Sequence, residues 1–572
     1  MDTTLAAAAA YFAFRSLTGR PPALVPVPLT SYPGSETQPS FSPDGNQVAF
    51  TWNGETEADW NVYVKLVSGS TQLKLTATPA TEHSPAWSPD GTRIAFFRQS
   101  EAGSGFYLIS PLGGQEEKIC DAETERTGLD SPYVAWSPEG SLLALADRNH
   151  ASQPAAIYLY SFADRKRTRL TSPPAQSFGD SAPAFSADGK SLAFIRTFKL
   201  AVQDLFVVSL QGAEERRLTS NMRRIYGMAW NSGDGSIVYS SSREGGSRLW
   251  RIASPGAKPE RLTAVGENAT FIAFSRDGKR LAYTRSMLDT NVWLYDLNPN
   301  PTVRRPPQRS VSSTRLEQGP KFSPDGERIA YASNQSGTAE IWVSDRNGEN
   351  NLQLTSFGGP ATGSPFWSPD AKQIAFDSRP DGNPDIFVVQ LEGHVLKRMT
   401  QEPSQDLVPS WSRDGTWLYF ASDRSGRFEI WRMPSQGGPA QQVTRQGGFH
   451  GVESPDGKYL YYTRSHSEPG LWRVPLAGGD ETPVLPSLRG TFWGYWGVTE
   501  RGIYYLDRQD AEAHGIRYFL RLFDPASKGD REVMEMPRRP YNSGLSISPD
   551  GRSCLYTQVD RSDTDIMLVD YR

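Results

Sequence analysis

One five-residue phrase, written twelve times, constrains this chain more than any other feature. It first reads Phe41-Ser42-Pro43-Asp44-Gly45, with Val48-Ala49-Phe50 just behind it. An apolar strand ends at the aromatic, proline presets φ for a turn, aspartate bonds its own backbone, and glycine accepts a positive φ. A second apolar strand then leaves, so the phrase is a hairpin. It recurs at residues 87–91, 136–140, 185–189, 230–235 and 274–278, and again at 322–326, 367–371, 411–415, 453–457, 498–502 and 547–551. Copies lie a little over forty to about fifty residues apart, the period of a four-stranded propeller blade.

The rest of each period supplies two more strands. A third, aromatic strand appears as Val62-Tyr63-Val64, Leu249-Trp250-Arg251, Val292-Trp293-Leu294 and Ile341-Trp342-Val343, and a fourth ends in Leu75-Thr76, Leu170-Thr171, Leu218-Thr219 or Leu354-Thr355. No long stretch has the 3.6-residue apolar period of a helical domain, and the richness in Gly, Pro, Trp and Tyr suits short strands and tight turns. The fold class expected is all-β, with four-stranded antiparallel blades.

Twelve blades can close as one ring or as two. The sixth repeat ends its third strand at Asp296 and runs into the Pro-rich residues 299–308, which cannot pair inside a sheet. The twelfth stops after its third strand, residues 565–572. Each half begins with a spare strand, residues 25–30 and 309–313, able to complete the last blade of its own half and remove an exposed edge. The expectation is two tandem six-bladed β-propellers, residues 21–298 and 309–572, each closed by its N-terminal strand and joined by linker 299–308. Repeats eight and eleven depart from the phrase, with Ala371 in place of glycine and Val498-Thr499-Glu500-Arg501-Gly502.

Residues 1–20 stand apart. Residues 5–14 are an unbroken apolar run, half of what a membrane-spanning helix needs. The run reads as the end of a transmembrane helix; the alternatives are a signal-like segment without a positive n-region, or a short tail. A net charge of -4, spread along the chain, argues against a nucleic-acid surface. Cys120 and Cys554, at opposite ends of the sequence, are not expected to form a disulfide.

The turn, the Ile-Ala-Phe second strand, the Ile-Trp third strand and the Leu-Thr fourth together resemble the TolB-type, WD-repeat-like β-propeller family over residues 25–572. Tandem propellers opening Val-Pro-Leu-Thr-Ser-Tyr-Pro-Gly also look like the C-terminal halves of bacterial winged-helix or Ser/Thr-kinase membrane regulators. The resemblance implies a non-enzymatic sensor or interaction ectodomain, periplasmic or otherwise extracytoplasmic and held at the inner membrane, binding a protein, a peptide or a small envelope ligand at the propeller channel mouth. Its alternatives are a propeller hydrolase or lyase, a peptidase propeller without its catalytic domain, and a soluble TolB-like envelope protein.

No catalytic set, metal site or cofactor is expected. The chain has no Gly-x-Ser-x-Gly elbow, no His-Glu-x-x-His and no Cys-x-x-Cys; Gly189-Lys190-Ser191 has Ala184 where a phosphate loop begins with glycine; and the six histidines show no ligand spacing. The positional candidate is the residue five before each turn aromatic, where the first strand meets a channel mouth. It reads Glu36, Glu82, Ser131, Asp180, Ile225 and Ala269, then Glu317, Thr362, Asp406, Gly448, Trp493 and Asn542, with Asp130 and Glu267 close by. These acids make a candidate acidic funnel for a cation or a basic peptide end; the plainer reading is ordinary polar loop residues. Trp493, Tyr495 and Trp496 break the repeat pattern and read as an aromatic patch near the second channel or as core.

Overall fold

The computed structural model describes residues 25–55, 60–123, 132–150, 153–300, 302–511 and 515–571. The Leu5 to Phe14 run lies outside them; among the described residues no helix is long and apolar enough to cross a membrane.

The repeated turn is held by one small network. Ser42 Oγ donates to Asp44 Oδ1 at 2.5 Å, Asp44 Oδ1 accepts from the Asn46 amide at 3.0 Å, and Ser42 Oγ accepts from the Gln47 amide at 2.9 Å. The same Ser–Asp bond recurs at Ser88, Ser186, Ser275, Ser368, Ser412, Ser454 and Ser548. These bonds hold the turn carboxyls below their ordinary range, as at Asp44 and Asp188. Ala371 adopts φ 57° where its counterparts are glycine, and repeat eleven turns tightly, with Thr499 paired to Gly502. The Leu-Thr ending extends the ladder: Leu75 N bonds the Val62 carbonyl at 2.9 Å, and the Val62 amide returns a 3.0 Å bond to Thr76 Oγ1. Thr171, Thr219, Thr355, Thr400 and Thr444 repeat that return bond.

Ten repeats each form one four-stranded antiparallel sheet in chain order. Repeats six and twelve do not. Arg280–Asp296 and Ser553–Asp570 are single long strands, paired antiparallel along their whole length. The first half of one pairs with Ala269–Phe274 and its second half with Gln308–Val311; the other runs from Pro540–Ile547 to Val27–Pro28. The spare strands therefore sit at the outer edges expected of them, but the third strands are exchanged: Val292-Trp293-Leu294 belongs to the twelfth sheet, and residues 565–570 belong to the sixth. The reason is local. Residues 284–291 and 558–565, where the second-to-third hairpins should turn, contain neither glycine nor proline. Repeat four also lacks both there, yet it turns by placing Ala201 at φ 61°. Within residues 284–291 and 558–565 no residue takes that conformation, and the chain runs straight on.

The first strands of repeats one to six pack side by side in order, and the sixth also packs against the first; those of repeats seven to twelve do the same. Apolar clusters fill the spaces between sheets, for example Phe97, Phe106, Leu143, Phe194 and Val208 between sheets two, three and four. The halves touch on the side carrying the second-to-third hairpins: Lys199 reaches Asn383 and the Pro403 carbonyl, and Arg315 pairs with Glu267 at 2.8 Å.

Candidate functional site

A one-residue bulge decides where side chains of the first strands point. In repeat one the pairing passes from Thr37↔Thr51 to Ser40↔Ala49, leaving two residues on one strand against one on the other, and repeats two, four, seven, eight and nine shift identically. The residue at the bulge has a positive φ: Gln38, Ser84, Ala182, Gly319, Ser364 and Val408. An extra residue inverts the facing of everything beyond it. The residue five before the aromatic and the residue one before it, which would share a face in a regular strand, therefore face opposite ways.

The predicted acids accordingly point into the blades. Glu36, Glu82, Asp180, Glu317 and Asp406 are all 0% exposed. Glu82 accepts from its cross-strand neighbour Arg98 at 2.7 Å, and that guanidinium also grips Glu116. Asp180 takes a two-pronged bond from Arg196 at 2.7 and 2.8 Å, with Glu215 on the same guanidinium. Asp406 is held by Arg424 at 3.0 Å. Glu317 accepts from Ser313 and Ser333, and burial still pushes its carboxyl up to about 7. Burial, reinforced by Asp565 and Asp563 of the exchanged strand, pushes Glu36 up to about 8. Glu267, half-buried, bridges Arg248 and Arg315 between the halves. Asp130 and Ser131 lie outside the described residues. Buried carboxylates held by arginine, as at Glu82, Asp180 and Asp406, present little field to a channel; these three tie strands together instead of facing the expected acidic funnel.

The structure instead assembles a small cavity of about 20 Å³, open to solvent at its mouth, where the six repeats of the second half converge. Every repeat from seven to twelve contributes: Gly319, Pro320 and Lys321, then Ser364, Pro365 and Phe366, then Val408 and Pro409, then His450, then Trp493 and Gly494, then Gly544. Of the predicted residues, Trp493 alone lines it, while Tyr495 and Trp496 are core at 1% exposure.

Lys321 is the one cation of this lining. Its ammonium lies 5.8 Å from the Phe366 ring centroid, and no hydrogen bond or ion pair to its Nζ occurs among the described residues. Burial pushes it down to about 8. His450, 3% exposed, donates from Nδ1 to the Trp493 carbonyl at 3.2 Å and packs on Trp496 at 5.0 Å. Burial first, and the Lys321 charge second, push it down to about 3, so the ring is neutral at physiological pH. Trp493 stands edge-on to Phe449 at 5.0 Å, and Phe449 contacts Phe428 and His466. Those two rings border a second, larger groove with Arg427, Gln446, Arg464 and Glu468. The cavity and the groove thus share one aromatic wall.

A sequence signal for Lys321 existed at another register. One residue before each turn aromatic, or the residue in its place, the chain reads Ser40, Ala86, Ala135, Ala184, Ala229 and Ala273, then Lys321, Phe366, Ser410, Val452, Gly497 and Ser546. A single lysine stands in a column of small or apolar residues.

Comparison with known proteins follows this architecture. The family model described as the TolB beta propeller domain matches residues 27–148, 126–302 and 305–485. An uncharacterised protein of Agrobacterium fabrum is 26% identical over 34% of this chain and 67% of its own length. The Tol-Pal system protein TolB of Bordetella pertussis is 35% identical over 28% of this chain, and the match spans only 36% of that protein. The crystal structure of TolB from Acinetobacter baumannii aligns over 68% of this chain and 80% of that one, at 18% identity and a TM-score of 0.33.

Proposed function

Since the chain belongs to the TolB β-propeller domain family, we propose that it is a non-enzymatic protein-interaction module built as two six-bladed propellers, residues 21–298 and 309–572, that share their exchanged third strands. The cyclic order of first strands within each half supports the two rings. The observation that carries the function is the second-half cavity: six strands converge on a lysine without an acidic partner, walled by glycine, proline and aromatic side chains and flanked by an aromatic groove. Such a lining binds and orients, with one charge to read and rings to pack against. The partner is a protein or peptide reaching the second channel, and the setting is extracytoplasmic, where the sequence resemblance puts it; attachment to the inner membrane through residues 1–20 and a sensing role belong to the same reading.

Retention of envelope proteins by the immobilised full chain tests this. Wild type and a variant altered only in the first half retain a common protein, and Trp493→Ala with Phe366→Ala loses it. Equal retention by all three forms contradicts the reading.

A further inference from the structure

We propose that Lys321 anchors one carboxylate, an aspartate or glutamate side chain of the partner polypeptide, at the mouth of the second-half cavity. The inference rests on the reading of that cavity as the interaction site.

The chemistry follows from what surrounds the amine. A partly desolvated ammonium is costly unless paired. Arg98, Arg196 and Arg424, by contrast, all grip carboxylates. Lys321 has only the Phe366 face, at 5.8 Å, and an attraction of that kind compensates an ammonium incompletely. His450 is the other titratable side chain of the lining; its Nδ1 proton is committed to the Trp493 carbonyl and the ring is neutral, so it supplies no counter-charge. The rest of the wall is uncharged. The missing partner is thus an anion from outside.

Charge and shape narrow that anion. One ammonium in a wall of glycine and proline balances one negative charge, which a carboxylate carries; a phosphate at neutral pH carries more and would remain partly uncompensated. The groove bordered by Phe428 and His466, next to the cavity across Phe449 and Trp493, provides a bed for the chain on one side of the acid, which favours a polypeptide over a free acid.

The test uses the full chain and the rate at which acetic anhydride acylates Lys321, read by peptide mass mapping at pH 7, with exposed Lys74 and Lys258 as internal controls. Probes are propionate, propionamide, methylphosphonate and the capped peptides acetyl-Gly-Gly-Glu-Gly-Gly-amide and its Gln counterpart. At about twice its dissociation constant the Glu peptide slows acylation of Lys321 about threefold, propionate protects more weakly, and propionamide and the Gln peptide do not protect. Protection fades as pH rises through 8 and the ammonium deprotonates, while His450 stays neutral throughout. Lys321→Met, checked for native near-ultraviolet dichroism, no longer binds the Glu peptide by calorimetry. Protection by propionate with none by the Glu peptide overturns the polypeptide source; stronger protection by methylphosphonate overturns the carboxylate; no protection by any anion overturns the site. If the Glu peptide protects but the envelope retention experiment fails, the anchor stands and the protein-partner reading falls.

Discussion

Replacing Lys321 with methionine removes a charge that the native state holds at a cost. The ammonium falls from 10.5 to about 8 on burial, and at about 1.36 kcal/mol per pH unit that difference is about 3 kcal/mol. Because the side chain is only half-buried, solvent at the cavity mouth reduces the figure to roughly 1–3 kcal/mol. Methionine keeps nearly the same length and packs against Phe366 without a charge. Lys321→Met is therefore expected to be more stable than wild type by about that amount at pH 7. The pH dependence identifies the cause. Between about 8 and 10.5 the native lysine has lost its proton while the unfolded one retains it, so the unfolded state binds more protons and wild-type stability rises with pH. Below about 8 that gain is absent. Parallel urea titrations of the two proteins at pH 7 and pH 10.5 read this directly, since tyrosines and other lysines titrate alike in both and cancel. The stability gap should be open at pH 7 and nearly closed at pH 10.5. A variant less stable than wild type at pH 7, or a gap that does not change with pH, would refute the reasoning by showing that the ammonium is already well compensated.

Other consequences concern the scaffold. Asp180→Ala leaves Arg196 with only Glu215 and should cost about 3–5 kcal/mol, whereas the double replacement Asp180→Leu with Arg196→Met should cost much less; equal losses in denaturant titration would contradict a buried charge pair. Glu36 and Glu317 rise to about 8 and about 7 in the native state, so their contribution to stability is complete below about 4.5 and disappears as pH climbs through those values. Glu36→Gln should flatten the upper part of that decline, and an unchanged profile would show that Glu36 ionises normally. Ser286 and Thr564 are cross-strand partners only if the long strands are exchanged. In a chain with Cys120 and Cys554 replaced by serine, Ser286→Cys with Thr564→Cys should close a disulfide, since paired Cα atoms lie about 4.5–5.5 Å apart. Free thiols after mild oxidation would mean that each half keeps its own third strand.

The sequence displayed the parts of this fold that are decided within one repeat. Ser42, Asp44 and Gly45 make their turn from contacts no more than five residues apart, and Leu75-Thr76 reaches one strand back. Choice of partner strand is decided elsewhere. Val292-Trp293-Leu294 looks like any other third strand, and only the lack of glycine and proline in residues 284–291 and 558–565 hinted that the hairpins would not close. The site was hidden by the bulge. Counting in twos from Ser40 or Lys321 back to Glu36 or Glu317 assumes a regular strand, and the extra residue near Gln38 or Gly319 makes that parity false. Glu82, Asp180 and Asp406 of the earlier register are held by arginines of their own blades. The odd lysine of the later register lines the second-half cavity.

The most direct measurement of that assignment is site-specific photo-crosslinking in the native host, with a benzophenone amino acid at Phe366 in the cavity and, separately, at Asp188 on the Ser-Pro-Asp-Gly side. The account predicts a single protein adduct from position 366, lost when Lys321 is also changed to methionine, with the crosslinked partner segment carrying an aspartate or glutamate, and none from position 188. An adduct from position 188 that persists in the Lys321→Met background, with position 366 silent, would contradict it.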